Sequence, residues 1–370
     1  MDLSICIIAK NEEKNIARCL QCLVPTGFEI VVVDTGSLDR TKEIAREYTD
    51  KVYDFIWCND FAAARNYAIS KASGEYILCL DCDEFLGPLD VEGLLQIVKQ
   101  HPGQVGRIRL KNVFSQSGER RENLEWLNRI FPKKEFCYTG KIHEQITAKN
   151  GALYETYETS VSVVHTGYDL TTEEREKKTR RNIVLLQQEL ERLLQECCMS
   201  SEEDSARQSL PDADNNIPYV LYQLGKSYYM AGDYTTACEY FSKGLSYDLN
   251  PKLEYVIDMV ETYGYALINS GQVEMALFFE NIYEEFAGSA DFQFLMGLIY
   301  MKNARFENAV QEFQKATEHA QCRVVGVNSY MAYYNIGVIY ECLGRTDEAR
   351  KCYEKCGEYE PAAKRLANLK

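Results

Sequence analysis

The sequence is poor in basic residues, histidine and tryptophan, and it contains no long apolar run. Its 370 residues include 41 lysines and arginines against 56 aspartates and glutamates, 4 histidines and 2 tryptophans, and the formal net charge is −15. This deficit of basic residues argues against a nucleic-acid-binding protein, which normally shows a basic surface. A membrane-spanning helix needs about 20 consecutive apolar residues, so the sequence predicts no membrane span.

The amino terminus also lacks the layout of a signal peptide. Met1 to Ile5 leads directly into an apolar, β-branched segment. We therefore expect a cytoplasmic protein, and the length of the chain predicts two domains.

Cysteine is plentiful, with 14 residues, and two Cys-x-x-Cys pairs occur at Cys19/Cys22 and Cys79/Cys82. Zinc sites usually present such pairs on tight turns. Here the first pair lies in a predicted helix and the second in a predicted buried strand. The pattern therefore favours free thiols that pack as small apolar side chains.

Acidic residues follow an apolar strand in the amino-terminal half. The run from Tyr76 to Leu80 is typical of a strand buried on both faces, and Asp81, Asp83 and Glu84 come directly after it. Strand side chains alternate, so Asp81 and Asp83 lean to the same side. Mg²⁺ and Mn²⁺ commonly bind one or two carboxylates together with substrate phosphates. The pattern predicts a metal-bound nucleotide diphosphate; the alternative is a strand end whose acids cap the next helix.

Apolar strands and helical patterns alternate through the first hundred residues, which predicts an α/β domain. The sheet is expected to be Rossmann-like and mostly parallel, with helices on both faces. Ligands of such sheets bind beyond the carboxyl ends of the strands. The acidic residues that follow successive strands should therefore converge there: Glu12, Asp34, Asp81 and Asp83. Asp34 needs a hydrogen-bond donor, either a ligand hydroxyl or base N–H or the turn at Gly36–Ser37.

Several motifs of this half resemble those of family 2 glycosyltransferases of the GT-A fold, from Asp2 to about Gly167. They are Ile-Ala-Lys-Asn-Glu-Glu, Val-Val-Asp-Thr-Gly-Ser-x-Asp, Ala-Arg-Asn and Leu-Asp-x-Asp-Glu, in that order. The resemblance implies a nucleotide-sugar donor, with a UDP-sugar favoured. It implies that Glu12 and Asp34 contact the base and ribose, and that the Ala9 backbone contacts the base.

The same resemblance implies roles at the diphosphate. Arg65 would lie near the nucleotide or diphosphate, although it could instead pair with Asp60 or Glu75. Asp81 would lie near the ribose and the metal waters, and Asp83 would bind the metal. His165 ends an apolar strand, at a place where the family often completes metal coordination with a histidine. An imidazole suits Mn²⁺ better than Mg²⁺, and the alternative is a packed histidine.

Between residues 103 and 165 the pattern is rich in strands. Arg129-Ile130-Phe131 and Gly140-Lys141-Ile142-His143-Glu144 resemble segments of the branch that includes lipopolysaccharide-core glucosyltransferases and peptide S-glycosyltransferases. An inverting transferase needs a base that takes the proton of the acceptor. Glu144 is the candidate base, with His143 as its orienter or as second choice. The alternative is that Glu144 pairs with Arg129 or Lys141.

The carboxyl-terminal half contains a repeat. Gly225, Gly264, Gly297 and Gly337 each precede an alanine by twelve positions, and an aromatic residue follows four positions later, offset in the second unit. This small–small–large spacing resembles tetratricopeptide repeats. Many tyrosines of this half could line a groove for a polypeptide, or form a homodimer surface.

Together these patterns predict a GT-A catalytic domain at 1–170, a linker helix and mobile loop at 171–216, and tetratricopeptide-like repeats at 217–370. We expect an inverting, Mn²⁺- or Mg²⁺-dependent transfer of a hexose or N-acetylhexosamine to a peptide or protein recruited by the repeats. A glycolipid or cell-envelope polysaccharide precursor is the alternative acceptor. Two other classes are a protein-binding adaptor with an inactive domain and an Asp-x-Asp phosphatase, which usually carries a hydroxyl residue where this chain has Phe85.

Overall fold

The computed structural model describes residues 2–116, 119–165, 172–203 and 211–369. The chain divides into two compact units, Met1–Thr171 and Thr172–Lys370. Helix α5 extends to Glu203 and helix α6 begins at Pro211. Of the mobile loop predicted over 199–216, residues 199–203 and 211–216 are therefore helical, and residues 204–210 lie outside the described residues. Within the described ranges no helix is long and apolar enough to cross a membrane.

The amino-terminal unit alternates strands and helices. Its strands are β1 (Leu3–Ala9), β2 (Glu29–Asp34), β3 (Val52–Asp54), β4 (Tyr76–Asp81), β5 (Glu84–Leu86), β6 (Val105–Gln116), β7 (Glu119–Pro132), β8 (Phe136–Thr139), β9 (Gln145–Ala148) and β10 (Thr156–His165). Its helices are α1 (Ile16–Leu23), α2 (Thr41–Ala45), α3 (Phe61–Lys71) and α4 (Val91–Gln100).

One large sheet has the strand order β3-β2-β1-β4-β7-β6-β10-β5, and β8 and β9 form a separate hairpin. Strands β3, β2, β1 and β4 are parallel to their neighbours. Strand β7 runs antiparallel between β4 and β6, whereas β10 is parallel to β6. The predicted α/β architecture is confirmed, and its parallel part is the half that the apolar runs indicated.

The apolar runs of β1, β2 and β4 reflect a sheet covered on both faces. On one face, Leu20 of α1 and Leu94 of α4 pack in a core cluster with Ile7 of β1. On the other face, Ala68 of α3 packs with Cys79 of β4. The cysteines that the structure describes are free, and Cys19, Cys79 and Cys82 are buried, as expected for thiols in apolar positions.

The carboxyl-terminal unit is helical. Its helices are α5 (Thr172–Glu203), α6 (Pro211–Met230), α7 (Tyr234–Gly244), α8 (Glu254–Asn269), α9 (Tyr283–Phe286), α10 (Ala290–Lys302), α11 (Phe306–Ala316), α12 (Tyr330–Cys342), α13 (Thr346–Glu354) and α14 (Glu360–Asn368). A 3₁₀ helix, Met275–Ile282, precedes α9.

Close packing inside each repeat explains the glycine-to-aromatic spacing. A methyl group on Gly225 would lie 2.5 Å from the ring of Phe241, and one on Gly337 would lie 2.5 Å from the ring of Tyr353. Gly297 faces Phe313 in the same way, at 2.6 Å. In the second unit Gly264 faces Leu295 instead. The helix that should pack on Gly264 is replaced there by the 3₁₀ segment, which accounts for the offset aromatic residue.

Candidate active site

The carboxyl ends of the parallel strands bring separated acidic residues to one edge of the sheet. The register pairs Ala9 at the end of β1 with Asp34 of β2, and Ile8 with Asp81 of β4. Neighbouring strands lie about 4.8 Å apart. Asp34 and Asp81 are therefore held on either side of the end of β1.

Asp34 is buried, and its two oxygens have different surroundings. Oδ1 accepts hydrogen bonds from the backbone N–H groups of Gly36 and Ser37, both at 3.0 Å. Oδ2 is buried and has no hydrogen-bond partner in the described part of the chain. A buried acceptor without a donor costs about 1–3 kcal/mol. Asp34 thus caps the turn, as the alternative interpretation predicted, and keeps one oxygen available for the N–H or hydroxyl of a ligand.

The loop after β1 is fixed by backbone and side-chain hydrogen bonds. The carbonyl oxygen of Ala9 accepts from the N–H and the hydroxyl of Thr35, at 2.9 and 3.1 Å. The Glu12 carboxylate accepts from the Asn15 side chain at 2.8 Å, and its backbone N–H donates to the hydroxyl of Thr41 at 2.7 Å. These bonds tie the predicted base-binding loop to α2 and to the end of β2.

Two arginines and three carboxylates form a charge cluster beside Asp81. Nη2 of Arg65 donates to Oδ1 of Asp81 at 2.7 Å, and its Nε donates to Oε1 of Glu144. Nη2 of Arg129 lies 3.2 Å from Oδ2 of Asp81 and 2.9 Å from Oε1 of Glu84. Both oxygens of Asp81 therefore bind guanidinium groups. Arg65 pairs with neither Asp60 nor Glu75, which were its expected alternative partners.

Burial and charge act against each other in this cluster. Burial by itself would raise the pKa of Asp81, but Arg65 and Arg129 outweigh it and hold the pKa of Asp81 well below its usual range. Burial also raises the pKa of Glu84, and Arg129 offsets this only in part. Nη1 of Arg65 is buried without a hydrogen-bond partner among the described residues. That N–H can donate to an anionic ligand.

A β-bulge delivers Arg129 to the cluster. The ladder between β6 and β7 pairs Gly106 with Ile130 and the next residue, Arg107, with Asn128. Arg129 is the extra residue between these two pairs, and such a residue is turned away from the regular alternation. The sequence pattern did not reveal this role, because nothing in a strand-like run marks the position of a bulge.

The segment that carries Glu144 is held against α3. The side chain of Asn66 bonds both backbone groups of Tyr138 in β8, at 2.8 and 2.9 Å. The N–H of Phe61 donates to the carbonyl of Lys141 at 2.8 Å. His143 has a positive φ of 51°, so the chain turns sharply just before Glu144. Glu144 pairs with Arg65 and not with the expected alternatives, Arg129 or Lys141.

Asp83 and His165 meet at the same edge, although 82 positions separate them. Oδ2 of Asp83 lies 3.0 Å from Nε2 of His165, and Nδ1 of His165 lies 2.8 Å from Oδ1 of Asn112. An amide oxygen only accepts hydrogen bonds, so Nδ1 carries a proton. In the protonated ring Nε2–H donates to Asp83, whereas in the neutral ring Nε2 carries a lone pair and can share a cation with Asp83.

The pair fits a divalent ion that arrives with a substrate. Ligands at about 2.1 Å and at right angles on an octahedral ion are about 3 Å apart, which matches the 3.0 Å between Asp83 and His165. Among the described residues, no group of three or more His, Cys, Asp or Glu is placed to hold a metal. The remaining positions would be left to phosphate oxygens and water, as is usual for Mg²⁺ and Mn²⁺. Asn112, which the sequence did not indicate, fixes the orientation of His165.

Comparison with known proteins matches parts of both halves of the chain to family models. Residues 4–158 match the model of glycosyl transferase family 2. Residues 218–251, 290–319 and 330–363 match tetratricopeptide repeat models. The chain carries a family 2 glycosyltransferase domain followed by tetratricopeptide repeats. The second predicted repeat is the unmatched one, and it is the unit with the 3₁₀ segment.

Curated relatives resemble parts of this chain. Glycosyltransferase SunS of Bacillus phage SPbeta is 28% identical over 177 residues, 44% of this chain and 39% of that protein. A TPR repeat-containing protein of Synechococcus elongatus is 45% identical over 84 residues, 23% of this chain and 21% of that protein. The chain thus spans between about a fifth and two fifths of these relatives. The solved structure of Staphylococcus aureus TarS 1-349 with UDP is 16% identical, with a TM-score of 0.35 over 86% of this chain and 92% of that one.

Proposed function

We propose that the chain is an inverting glycosyltransferase that uses a nucleotide-diphosphate sugar, with a UDP-sugar favoured. One observation carries this proposal. A buried acceptor on Asp34, a buried donor on Arg65 and the Asp83–His165 pair all lie at the carboxyl edge of one sheet. Nucleotides bind α/β sheets at this edge, and these groups suit a base or ribose, a diphosphate and its metal ion.

The donor would be held from both ends. Oδ2 of Asp34 would accept from the base or ribose, beside the loop that carries Ala9 and Glu12. Nη1 of Arg65 would donate to the diphosphate, while Asp81 holds the guanidinium in place. Asp83 and His165 would hold Mn²⁺ or Mg²⁺. When bound, the ion would neutralise the charge that develops on the leaving diphosphate.

Glu144 is the proposed base. Arg65 holds Oε1, and the described residues give Oε2 no partner. Oε2 would take the proton of the acceptor hydroxyl or thiol. The acceptor atom would then form a bond to the anomeric carbon while the bond from that carbon to the diphosphate breaks on the opposite face. The sugar is transferred with inversion, and the nucleotide diphosphate leaves.

The repeats would recruit the acceptor, for which we propose a peptide or protein. A second candidate is a cell-envelope polymer. It is favoured by the poly(ribitol-phosphate) β-N-acetylglucosaminyltransferase TarS of Staphylococcus aureus, which is 29% identical over 123 residues, 30% of this chain and 22% of that protein.

Calorimetric titration with a panel of nucleotide sugars, with and without Mn²⁺, tests the donor. Metal-dependent binding of one donor is expected, and Asp83→Ala should abolish turnover. Glu144→Gln should leave donor binding unchanged and lower turnover at least a hundredfold, because general-base catalysis contributes about 10²–10⁴-fold. Glu92→Gln, on the exposed side of α4, is the matched control. Turnover retained in Glu144→Gln would exclude Glu144 as the base. A folded chain that binds no nucleotide sugar would favour the alternative of a protein-binding adaptor with an inactive transferase domain.

A further inference from the structure

One face of the sheet is left open beside the proposed catalytic edge. Along β6, Ile108 and Leu110 are buried, whereas the alternating residues Arg107, Arg109 and Lys111 are exposed or half-buried. Val105, on the same face as Arg107, packs in the core cluster with Ala68 of α3. The three basic residues therefore continue the face on which α3 packs, into a region where the described residues leave the sheet accessible.

Strand β7 adds an aromatic residue to this face. The register places Trp126 opposite Arg109, and Trp126 is half-buried. The Arg107 guanidinium lies 5.9 Å from the centroid of the Trp126 ring. We call the set of Arg107, Arg109, Lys111 and Trp126 the basic face.

Arg109 is the residue of the basic face whose positive charge has no acidic partner among the described residues. Nζ of Lys111 pairs with Glu122 at 2.7 Å, and the register places exposed Glu158 beside Arg107. Arg109 is exposed and has no ion pair or hydrogen bond within the described ranges. In a chain with a net charge of −15, an unpaired guanidinium between an aromatic ring and a neutralised lysine is positioned to receive an anion.

The register also places this face next to the proposed chemistry. Strand β7 lies beside β4 and pairs Ile130 with Leu78 in antiparallel orientation, and Arg129 of β7 contacts Asp81 at the end of β4. Adjacent strands are about 4.8 Å apart. Arg109, two strands from Asp81, therefore begins about 10 Å from the charge cluster. An acceptor that approaches Glu144 along the α3 side of the sheet would pass over the basic face.

We propose that the basic face binds the acceptor, and that the acceptor carries an anionic group, phosphate or carboxylate, close to the atom that is glycosylated. This inference rests on the proposed function and adds the charge of the acceptor to it. The Arg109 guanidinium binds the anion through paired N–H donors, and the Trp126 ring packs against the adjoining carbon skeleton.

Three acceptors with one carbon skeleton test the charge: glycerol, glycerate and glycerol 3-phosphate. The chain has 2 tryptophans, so the variant Trp57→Phe leaves Trp126 as the fluorescent reporter of binding. Quenching should give a Kd for one or both anions at least tenfold below that for glycerol, and the stronger anion identifies phosphate or carboxylate as the preferred group. Arg109→Gln should remove this difference, whereas Arg180→Gln, at an exposed position of α5, should preserve it.

UDP-sugar binding and transfer to the same compounds separate this inference from the proposed function. Arg109→Gln should bind UDP-sugar as the wild type does and lose at least tenfold in kcat/KM for the anionic acceptor alone. Equal Kd values for all three compounds, or an unchanged anion preference in Arg109→Gln, would overturn the proposal that the basic face binds an anionic acceptor. The proposed function would remain intact. A folded wild-type chain that binds none of the nucleotide sugars in the panel would overturn both.

Discussion

Replacing Arg129 by methionine would leave the buried carboxylate of Glu84 without its ion-pair partner. The substitution keeps a long side chain and removes the guanidinium that lies 2.9 Å from Glu84. Glu84 is 3% exposed, and among the described residues its other hydrogen bond is the one that Oε2 accepts from the Asp81 N–H at 3.0 Å. Removing one partner of a buried ion pair costs about 3–5 kcal/mol. Asp81 retains Arg65, so we expect the loss of stability to come mainly from Glu84.

The loss of stability in Arg129→Met should be larger at high pH than at low pH. Burial already raises the pKa of Glu84 above that of an unfolded glutamate, and loss of Arg129 raises it further. A group whose folded pKa is raised contributes stability at low pH that is lost as the pH rises through that pKa. The free energy of unfolding of Arg129→Met should therefore be nearer to that of the wild type at pH 5 than at pH 8.

Urea denaturation at the two pH values measures this effect. Both tryptophans, Trp57 and Trp126, lie in the amino-terminal unit, so their fluorescence reports its unfolding. The double variant Arg129→Met/Glu84→Gln removes the isolated charge and should recover much of the loss. Lys111→Met breaks the more exposed pair with Glu122 and should cost at most about 1 kcal/mol. A loss in Arg129→Met that is below about 1 kcal/mol, or that is equal at both pH values and not recovered in the double variant, would refute the reasoning.

Two further predictions concern metal binding and the repeats. Asn112→Leu removes the acceptor for Nδ1 of His165 and should weaken Mn²⁺ binding in the presence of UDP by about 10–100-fold, as measured by electron paramagnetic resonance; Asn112→Asp keeps an acceptor and should bind almost normally. Equal affinity in wild type and Asn112→Leu would show that Asn112 does not orient His165. Gly337→Ala places a methyl group 2.5 Å from the ring of Tyr353 and should destabilise the repeats by about 1–3 kcal/mol in thermal melting followed by circular dichroism. Gly288, with nothing within 4 Å, is the control, and equal melting of both alanine variants would contradict the packing argument.

Local patterns were sufficient to predict the alternation of strands and helices from β1 to β4 and the sheet edge at which Asp34, Asp81 and Asp83 lie. An apolar run followed by an acid marks a strand and its end, and parallel strands end at the same edge. Close approach of two helices allows only glycine opposite a large ring, so the spacing of Gly225 and Phe241 also predicted that two helices pack closely at this point. Each of these signals depends on residues near one another in the sequence or on a regular repeat.

The partners of the charged side chains depended on the tertiary structure. Arg65 bonds Glu144, 79 positions away, and Asn112 bonds His165, 53 positions away; no local pattern indicates which of many such pairs will meet. The bulge at Arg129 and the 3₁₀ segment in the second repeat are also invisible to a regular periodicity, because each is a single departure from it. The sequence therefore determined which groups reach the sheet edge. Only the folded chain, through register and burial, decided which of them are neutralised and which keep an open donor or acceptor.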